Sequence, residues 1–192
     1  MPPLILASTS SYRRDLLARF AIAFEVEAPG VSEAHVPGES PADRALRLAT
    51  AKAQAVSARH PEALVIGSDQ VAAVGTEVLD KPGDASRCRA QLSRLSGHSA
   101  CFYTACVVLG GRPPVHLAHV DTTTVVFRQL AAAEIARYVE HEHPFDCAGG
   151  FKAEGLGIAL FEYIESQDPS ALIGLPLIWL ASGLRGAGFL LP

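Results

Sequence analysis

Apolar and polar positions follow two rhythms along the chain, which predicts strands interleaved with helices. Continuous apolar runs, typical of strands buried on both faces, occur at Leu4–Ala7 and at Ala63–Gly67, and the second run continues to Val74. The other predicted strands are Ile22–Glu27, Ala100–Leu109, Val115–Phe127 and Ile158–Ile164. The predicted helices are Tyr12–Phe20, Pro41 to about His60, Ala85–Leu95, Ala131–Glu140 and Leu177–Leu184. Two strands flank a GGRPP turn as a hairpin, so we expect a mixed α/β sheet flanked by helices.

The second predicted helix carries a lysine on its apolar side. Its start is marked by Ser40–Asp43, with a serine cap, a proline at the first helical position and an aspartate in the first turn. Further along, Lys52 projects between Leu48 and Val56, inside the apolar sector. A lysine there either snorkels to water or meets an anion, and a bound phosphate is the functional interpretation.

Asp69 interrupts a strand that is otherwise apolar. Burying an unpaired carboxylate costs several kcal/mol, so Asp69 must meet a cation, a metal or hydrogen-bond donors, or lie where the strand opens into a cleft. A structural ion pair is the alternative to a catalytic role. Lys81 is a candidate partner in either case.

The N-terminal segment LILASTSSYRRDLL, residues 4–17, predicts an anion site. A strand that ends in small hydroxyl residues and leads into a helix presents backbone N–H groups, hydroxyl donors and the positive end of the helix dipole. Arg13 and Arg14, in the first turn, add charge-assisted bonds to phosphate. Ordinary serine caps and solvated arginines are the alternative interpretation. The sequence contains neither the P-loop motif nor the G-x-G-x-x-G motif.

Composition limits the classes of partner. The 192 residues are 49% hydrophobic with a net charge of −4, which favours a substantial core and argues against a nucleic-acid binder, but not against a small anionic ligand. The four cysteines form no C-x-x-C pair, and we expect reduced thiols. No export signal or membrane span is predicted, because the uncharged stretch Pro169–Leu184 is short and broken by Pro176. We therefore expect a soluble, cytoplasmic protein.

With these residues in hand, the chain resembles the Maf family of nucleotide pyrophosphatases. LILASTSSYRRDLL resembles the family's LILAS-x-S-P-x-RR signature. Further matching blocks follow in order, at residues 31–33, 52–53, 67–70, 81–82, 95–97, 103–104 and 174–177. The likeness is closest to the 7-methyl-GTP pyrophosphatase branch, on Ser-Asp-Gln at 68–70 and EHPFDCAGGFKAEGLGIALFE at 142–162. Ser11, Ser32 and Gly150 depart from the pattern, and Ser32 leaves Glu33 as the one carboxylate of its block.

The resemblance implies both the fold and the reaction. It implies one domain over residues 1–192, an elongated, ITPase-like mixed sheet with a cleft at its centre, and a homodimer. The implied reaction cleaves a nucleoside triphosphate between the α and β phosphates with a divalent metal, Mg²⁺ or Mn²⁺. The alternatives are the sister activity on dTTP and UTP, a broad pyrophosphatase for modified nucleotides, a nucleotide-binding regulator of cell division, and a domain with a degenerate site.

The resemblance also implies roles for individual residues. Asp69 would be the general base, and Glu33 and Asp69 would contact the metal. The triphosphate would be held by Ser8, Arg13 or Arg14, Lys52 and Lys81. The base would be recognised by Tyr12, Gln70 and Glu154. Since 7-methylguanine is cationic, an aromatic ring such as Tyr12 gains a cation–π term, and Glu154 can accept from the base while supplying a compensating charge.

Overall fold

The computed structural model describes residues 2–192. Within them the strands are β1 Leu4–Ala7, β2 Glu25–Glu27, β3 Leu64–Val74, β4 Glu77–Leu79, β5 Ser99–Gly110, β6 Val115–Phe127 and β7 Phe161–Glu165. The α-helices of the same residues are α1 Ser11–Ala18, α2 Pro41–Ser57, α3 Ala85–Leu95, α4 Ala132–Glu142 and α5 Leu177–Gly186. The strands form a mixed sheet in the order β2-β1-β3-β5-β6-β7, with β4 paired to β3. The predicted α/β class is therefore confirmed.

The described chain divides into two compact units. The first contains the residues up to Gln70, Tyr103–Asp121 and Asp168–Pro192. The second contains Val71–Phe102 and Thr122–Gln167. The implied single domain over residues 1–192 stays a prediction.

Parallel strands organise the first unit. β1 lies between β2 and β3, and Ala7 is in register with Gly67, so Ser8 and Ser68 follow at the same level of the sheet. The core beneath them is apolar side chains from α1, α5 and the strands, including Leu6, Leu17, Ile66, Val108, Leu180 and Leu184. This core supports the end of β1 and the middle of β3, and it thereby orients Ser8 and Ser68, the polar residues that follow.

An aromatic cluster forms much of the core of the second unit. The rings of Phe102, Phe127 and Phe161 each lie within 5.5 Å of another ring of the cluster and pack edge to face, with Phe151 between them. Buried Cys88, Leu92 and Leu95 come from α3, and buried Ile135, Tyr138 and Val139 come from α4. β7 pairs antiparallel with β6, and β4 pairs antiparallel with the end of β3.

The boundaries of two predicted strands are wrong. The second strand is only Glu25–Glu27, because the backbone at Ala21 takes a positive φ of 52° and the chain joins the sheet later. The last predicted strand, Ile158–Ile164, is β7 in the structure and begins at Phe161, because residues 156–160 form a 3₁₀ helix in which Ile158 is exposed. The short strand β4, which pairs with the end of β3, was not predicted.

Three further features concern the thiols, one histidine and the lengths of the helices. Within the described residues all four cysteines are free thiols, and burial raises the pKa of Cys106 to about 12. His119 stacks on Trp179 with a centroid distance of 5.2 Å, which is a packing role. None of the helices in residues 2–192 combines the length and apolar character needed to cross a bilayer.

Candidate active site

The alternation of side chains along β3 sets the geometry of the site. Gly67 faces α2, and a Cβ at this position would lie 2.3 Å from the Ala49 carbonyl oxygen and 2.8 Å from the Ala53 Cβ. Glycine therefore allows the helix to approach the strand closely. Because side chains repeat every second residue, Asp69 lies on the same face as Gly67 and meets the same helix, from which Lys52 projects.

Lys52 joins two carboxylates. Its Nζ lies 2.6 Å from Asp69 Oδ1 and 2.6 Å from Glu33 Oε1. The Lys52 and Asp69 side chains are 9% and 10% exposed, whereas Glu33 is 55% exposed. The anion that Lys52 meets in the structure is Asp69, and Glu33 contacts the lysine from the solvent side; the bound phosphate stays a prediction. This cluster satisfies two charges that would be costly to bury alone.

Arg13 faces the acidic cluster from α1. Its Nε donates to the Gly174 carbonyl oxygen at 3.1 Å, and the Ser68 hydroxyl donates to the same oxygen at 2.9 Å. Burial lowers the pKa of the Arg13 guanidinium, while the negative charges of Asp69 and Glu33 act in the opposite direction. A Cβ at Gly174, where φ is 137°, would lie 3.2 Å from the Arg13 Cγ, so glycine leaves room for the arginine stem.

The neighbouring arginine points elsewhere. Arg14 is 55% exposed and its Nε lies 3.0 Å from Asp15 Oδ1 on the next residue. Successive residues of a helix point about 100° apart, so only one of the pair can face the acidic cluster. The sequence pattern does not distinguish the two arginines, whereas in the structure Arg13 faces the acidic cluster and Arg14 pairs with Asp15.

Gln70 supports the segment before α5. Its Nε2 lies 2.9 Å from Thr104 Oγ1, 3.0 Å from the Ala171 carbonyl oxygen and 2.9 Å from the Leu172 carbonyl oxygen. The Thr104 hydroxyl also donates to Ala171 at 2.9 Å. These bonds hold the backbone at Ala171 and Leu172, so Gln70 positions that part of the chain.

The remaining N-terminal residues form the entry to α1. Ser8 is buried, and its hydroxyl oxygen accepts the Ser10 N–H at 3.1 Å. Ser10 caps the helix by accepting the Arg13 N–H. Tyr12 is half-buried in the first turn. The predicted strand, hydroxyl cluster and helix start are all confirmed.

The loop that carries Glu33 is clamped by residues that the sequence did not single out. Arg47 Nε donates to Glu39 Oε1 at 2.6 Å, and its NH2 group donates to the Ala34 carbonyl oxygen at 3.2 Å. The Glu39 hydrogen bond raises the pKa of Arg47, and the charge of Asp69 adds to the effect. Arg47 and Glu39 are eight positions apart in sequence, on a helix and in a loop, so no periodic pattern links them.

Glu33 and Asp69 fit a divalent cation of the magnesium type. Their oxygens converge on a single ammonium group, and such ions are usually bound by one or two carboxylates together with substrate phosphates. Among residues 2–192, no group of three or more histidine, cysteine, aspartate or glutamate side chains forms a complete metal cage. The donor set therefore suits a metal that arrives with a phosphate ligand.

Lys81 and Glu154 belong to the second unit. Lys81 is exposed after β4 and lines a cavity of about 320 Å³ with Arg87, Gln91 and Arg94. Glu154 is exposed in the turn after the first 3₁₀ helix, Ala148–Gly150. The sequence offered Lys81 as a partner for Asp69, and the ion pair that the structure gives Asp69 is with Lys52.

Comparison with known proteins gives family and fold. The model of the family described as Maf-like protein matches residues 3–187. A 7-methyl-GTP pyrophosphatase of Xanthomonas oryzae pv. oryzae (strain MAFF 311018) is 52% identical over 192 residues, with 100% of both chains covered. One from Aromatoleum aromaticum is 50% identical over 189 residues, covering 98% of this chain and 97% of the relative.

Solved structures resemble the fold at low sequence identity. The Ham1 protein of Staphylococcus aureus matches with a TM-score of 0.55 and 13% identity, covering 96% of this chain and 99% of the other. A HAM1 protein from Coxiella burnetii matches with a TM-score of 0.52 and 15% identity, covering 97% and 100%. At these identities the likeness concerns the fold alone.

Proposed function

Because the chain belongs to the family of Maf-like proteins, we propose that it is a nucleotide pyrophosphatase that hydrolyses 7-methyl-GTP to 7-methyl-GMP and pyrophosphate. The substrate follows from relatives of that name that are about half identical over nearly the whole chain. The chemistry rests on one observation, the buried Lys52–Asp69 pair with Glu33 and Arg13 around it.

In this mechanism Asp69 takes the proton of the attacking water. Lys52 donates to Oδ1 of Asp69 at 2.6 Å, so the other oxygen, Oδ2, can accept a hydrogen bond from the water at the same time. A positioned base contributes roughly 10² to 10⁴ in rate. Hydrolysis adds water at the α phosphorus and breaks its bond to the bridging oxygen, which leaves with pyrophosphate.

Two cations of the first unit would hold the phosphates. Arg13 donates from its Nε to Gly174, and its terminal nitrogens would be the donors to phosphate oxygens. Lys52 would exchange its contact with Glu33 for a phosphate oxygen, since Glu33 is the more exposed of its two partners. Ser8 adds a hydroxyl at the end of β1, and Lys81 stays a predicted contact from the second unit.

Glu33 and Asp69 would hold the divalent metal, Mg²⁺ or Mn²⁺. When bound, such a metal neutralises the charge of the phosphate oxygens. Glu33, which contacts Lys52 in this structure, would be the carboxylate that exchanges the lysine for the metal. Chelation of the divalent cation is therefore expected to abolish turnover.

Base recognition is assigned to Tyr12, Glu154 and Gln70. A cationic ring such as 7-methylguanine gains about 0.5–2 kcal/mol over an aromatic face, which favours Tyr12 as the stacking residue. The exposed Glu154 carboxylate would accept from the N–H groups of the base. Gln70 would act through the backbone that it supports at Ala171 and Leu172. The proposal also includes a cytoplasmic location and a homodimer. Size-exclusion chromatography with light scattering tests the homodimer.

A nucleotide panel tests the proposal. Pyrophosphate release is measured with 7-methyl-GTP, GTP, dTTP, UTP and CTP, each with Mg²⁺, Mn²⁺ or excess chelator. The expected result is the highest kcat/KM for 7-methyl-GTP and none with chelator. A preference for dTTP and UTP would move the protein to the sister activity. No pyrophosphate from any nucleotide would contradict the enzyme assignment and leave the binding or degenerate alternatives.

A further inference from the structure

The turn that carries Glu154 is tied to the end of α4 through one residue, Glu142. The Leu156 N–H donates to Glu142 Oε2 at 2.7 Å. On the other side of Glu154, the Lys152 ammonium donates to the Glu142 carbonyl oxygen at 3.1 Å and lies 3.7 Å from its carboxylate. Both ends of the turn are thus fastened to the same residue. The Glu142 side chain is only 17% exposed, whereas Leu156, which donates to it, lies on the surface.

Three further contacts hold this turn in place. One helical turn before Glu142, the Tyr138 hydroxyl accepts the Lys152 N–H at 3.0 Å. A Cβ at Gly155 would lie 2.6 Å from Glu142 Oε2, so the carboxylate packs directly on the backbone beside Glu154. A Cβ at Gly157 would lie 2.3 Å from the Lys152 carbonyl oxygen. The two ends of the turn therefore contact each other, and its backbone packs against Glu142 at the end of α4, while the Glu154 side chain is exposed.

We propose that Glu142 is a positioning residue for nucleotide selectivity, because it holds the Lys152–Gly157 turn so that Glu154 meets the base in one orientation. This inference rests on the proposed function, in which Glu154 recognises 7-methylguanine. A carboxylate that is already fixed loses less conformational freedom on binding than one on a mobile loop. Glu142 touches no reacting atom, and its effect reaches the substrate through the backbone of the turn.

Steady-state kinetics with 7-methyl-GTP and with GTP test this role in Glu142→Ala, Glu142→Gln and Glu140→Ala. In Glu142→Ala we expect the ratio of the two kcat/KM values to fall up to about tenfold, as for the loss of one hydrogen bond. The fall should come from a higher KM for 7-methyl-GTP, with GTP turnover unchanged. Glu142→Gln should restore most of the ratio, because an amide oxygen can still accept the Leu156 N–H. Glu140, exposed on the same helix, is the matched control.

The outcomes separate this inference from the proposed function. A wild-type protein without preference for 7-methyl-GTP contradicts both. A wild-type preference that survives in folded Glu142→Ala, or an equal loss on both nucleotides, overturns the positioning role alone. Where Glu142→Ala does not fold, Tyr138→Phe decides, since it removes only the hydroxyl that holds the Lys152 N–H. A lowered ratio in that variant supports the role of the anchored turn, and an unchanged ratio overturns it.

Discussion

Replacing Lys52 with methionine removes the ammonium group that bridges Asp69 and Glu33 but keeps most of the buried stem. The side chain of Asp69 is 10% exposed and would lose the partner at 2.6 Å. Breaking a buried ion pair from one side costs about 3–5 kcal/mol. The guanidinium of Arg13 offsets part of this loss, and Glu33 is exposed enough to be solvated. We therefore expect a loss of about 3 kcal/mol in the free energy of unfolding.

Asp69→Asn should cost less than Lys52→Met. The lysine keeps Glu33 as an ionic partner, and the new amide oxygen can still accept a hydrogen bond from the ammonium group. We expect this variant to lose about 1–2 kcal/mol in the free energy of unfolding. The double variant should lose less than the sum of the two single losses, with a coupling energy of about 1–3 kcal/mol.

Denaturant unfolding of the wild type, both single variants and the double variant measures these values. For a chain of this size, about 3 kcal/mol corresponds to a fall in Tm of roughly 6–12 °C. Arg14→Met is the control, because the Arg14–Asp15 pair is exposed and should contribute about 1 kcal/mol or less. Additive costs, or a Lys52→Met variant as stable as the Arg14→Met variant, would refute the argument that the pair is buried and coupled.

Three further changes are informative. Gly67→Ala should destabilise the fold by about 1–3 kcal/mol or more and reduce activity, because its Cβ would meet the Ala49 carbonyl 2.3 Å away; unfolding free energies and kcat/KM check this. Gln70→Leu should cost about 1–3 kcal/mol and lower selectivity, because it removes the donor from two backbone carbonyls; an unchanged Tm would contradict it. The hydrogen bond from Arg59 lowers the pKa of Glu27, so its stabilisation is present above the unfolded pKa and is lost as pH falls through the folded value. The stability difference between wild type and Glu27→Gln should therefore be present at neutral pH and vanish in acid.

The site residues that sequence reasoning found are those that violate a burial pattern. Lys52 stands on an apolar helix face and Asp69 in an apolar strand, and each exception is costly unless a partner is present. The sequence could not pair them, because the pairing depends on how closely α2 packs on β3. That approach is allowed by Gly67, whose contacts with Ala49 and Ala53 are tertiary.

Other features carried no local signal. Arg13 and Arg14 are equivalent in sequence, and tertiary contacts such as that of Arg13 with Gly174 distinguish them. Glu142 stands at the end of a helix beside other charged residues, a pattern that predicts a solvated face. Its contact with Leu156 depends on the fold of a glycine-rich turn, which no short-range pattern predicts. The order of strands and helices was predictable because it rests on short-range patterns of hydrophobicity and on helix caps.

The most direct test of the account compares the wild type with Asp69→Asn on 7-methyl-GTP. Single-turnover pyrophosphate release gives the rate of the chemical step, and calorimetric titration with the nucleotide gives its affinity. The account predicts a rate lower by roughly 10² to 10⁴ with nucleotide binding still measurable, because Asp69 supplies proton transfer while Arg13 and Lys52 hold the phosphates. A folded Asp69→Asn variant that releases pyrophosphate at the wild-type rate would contradict it.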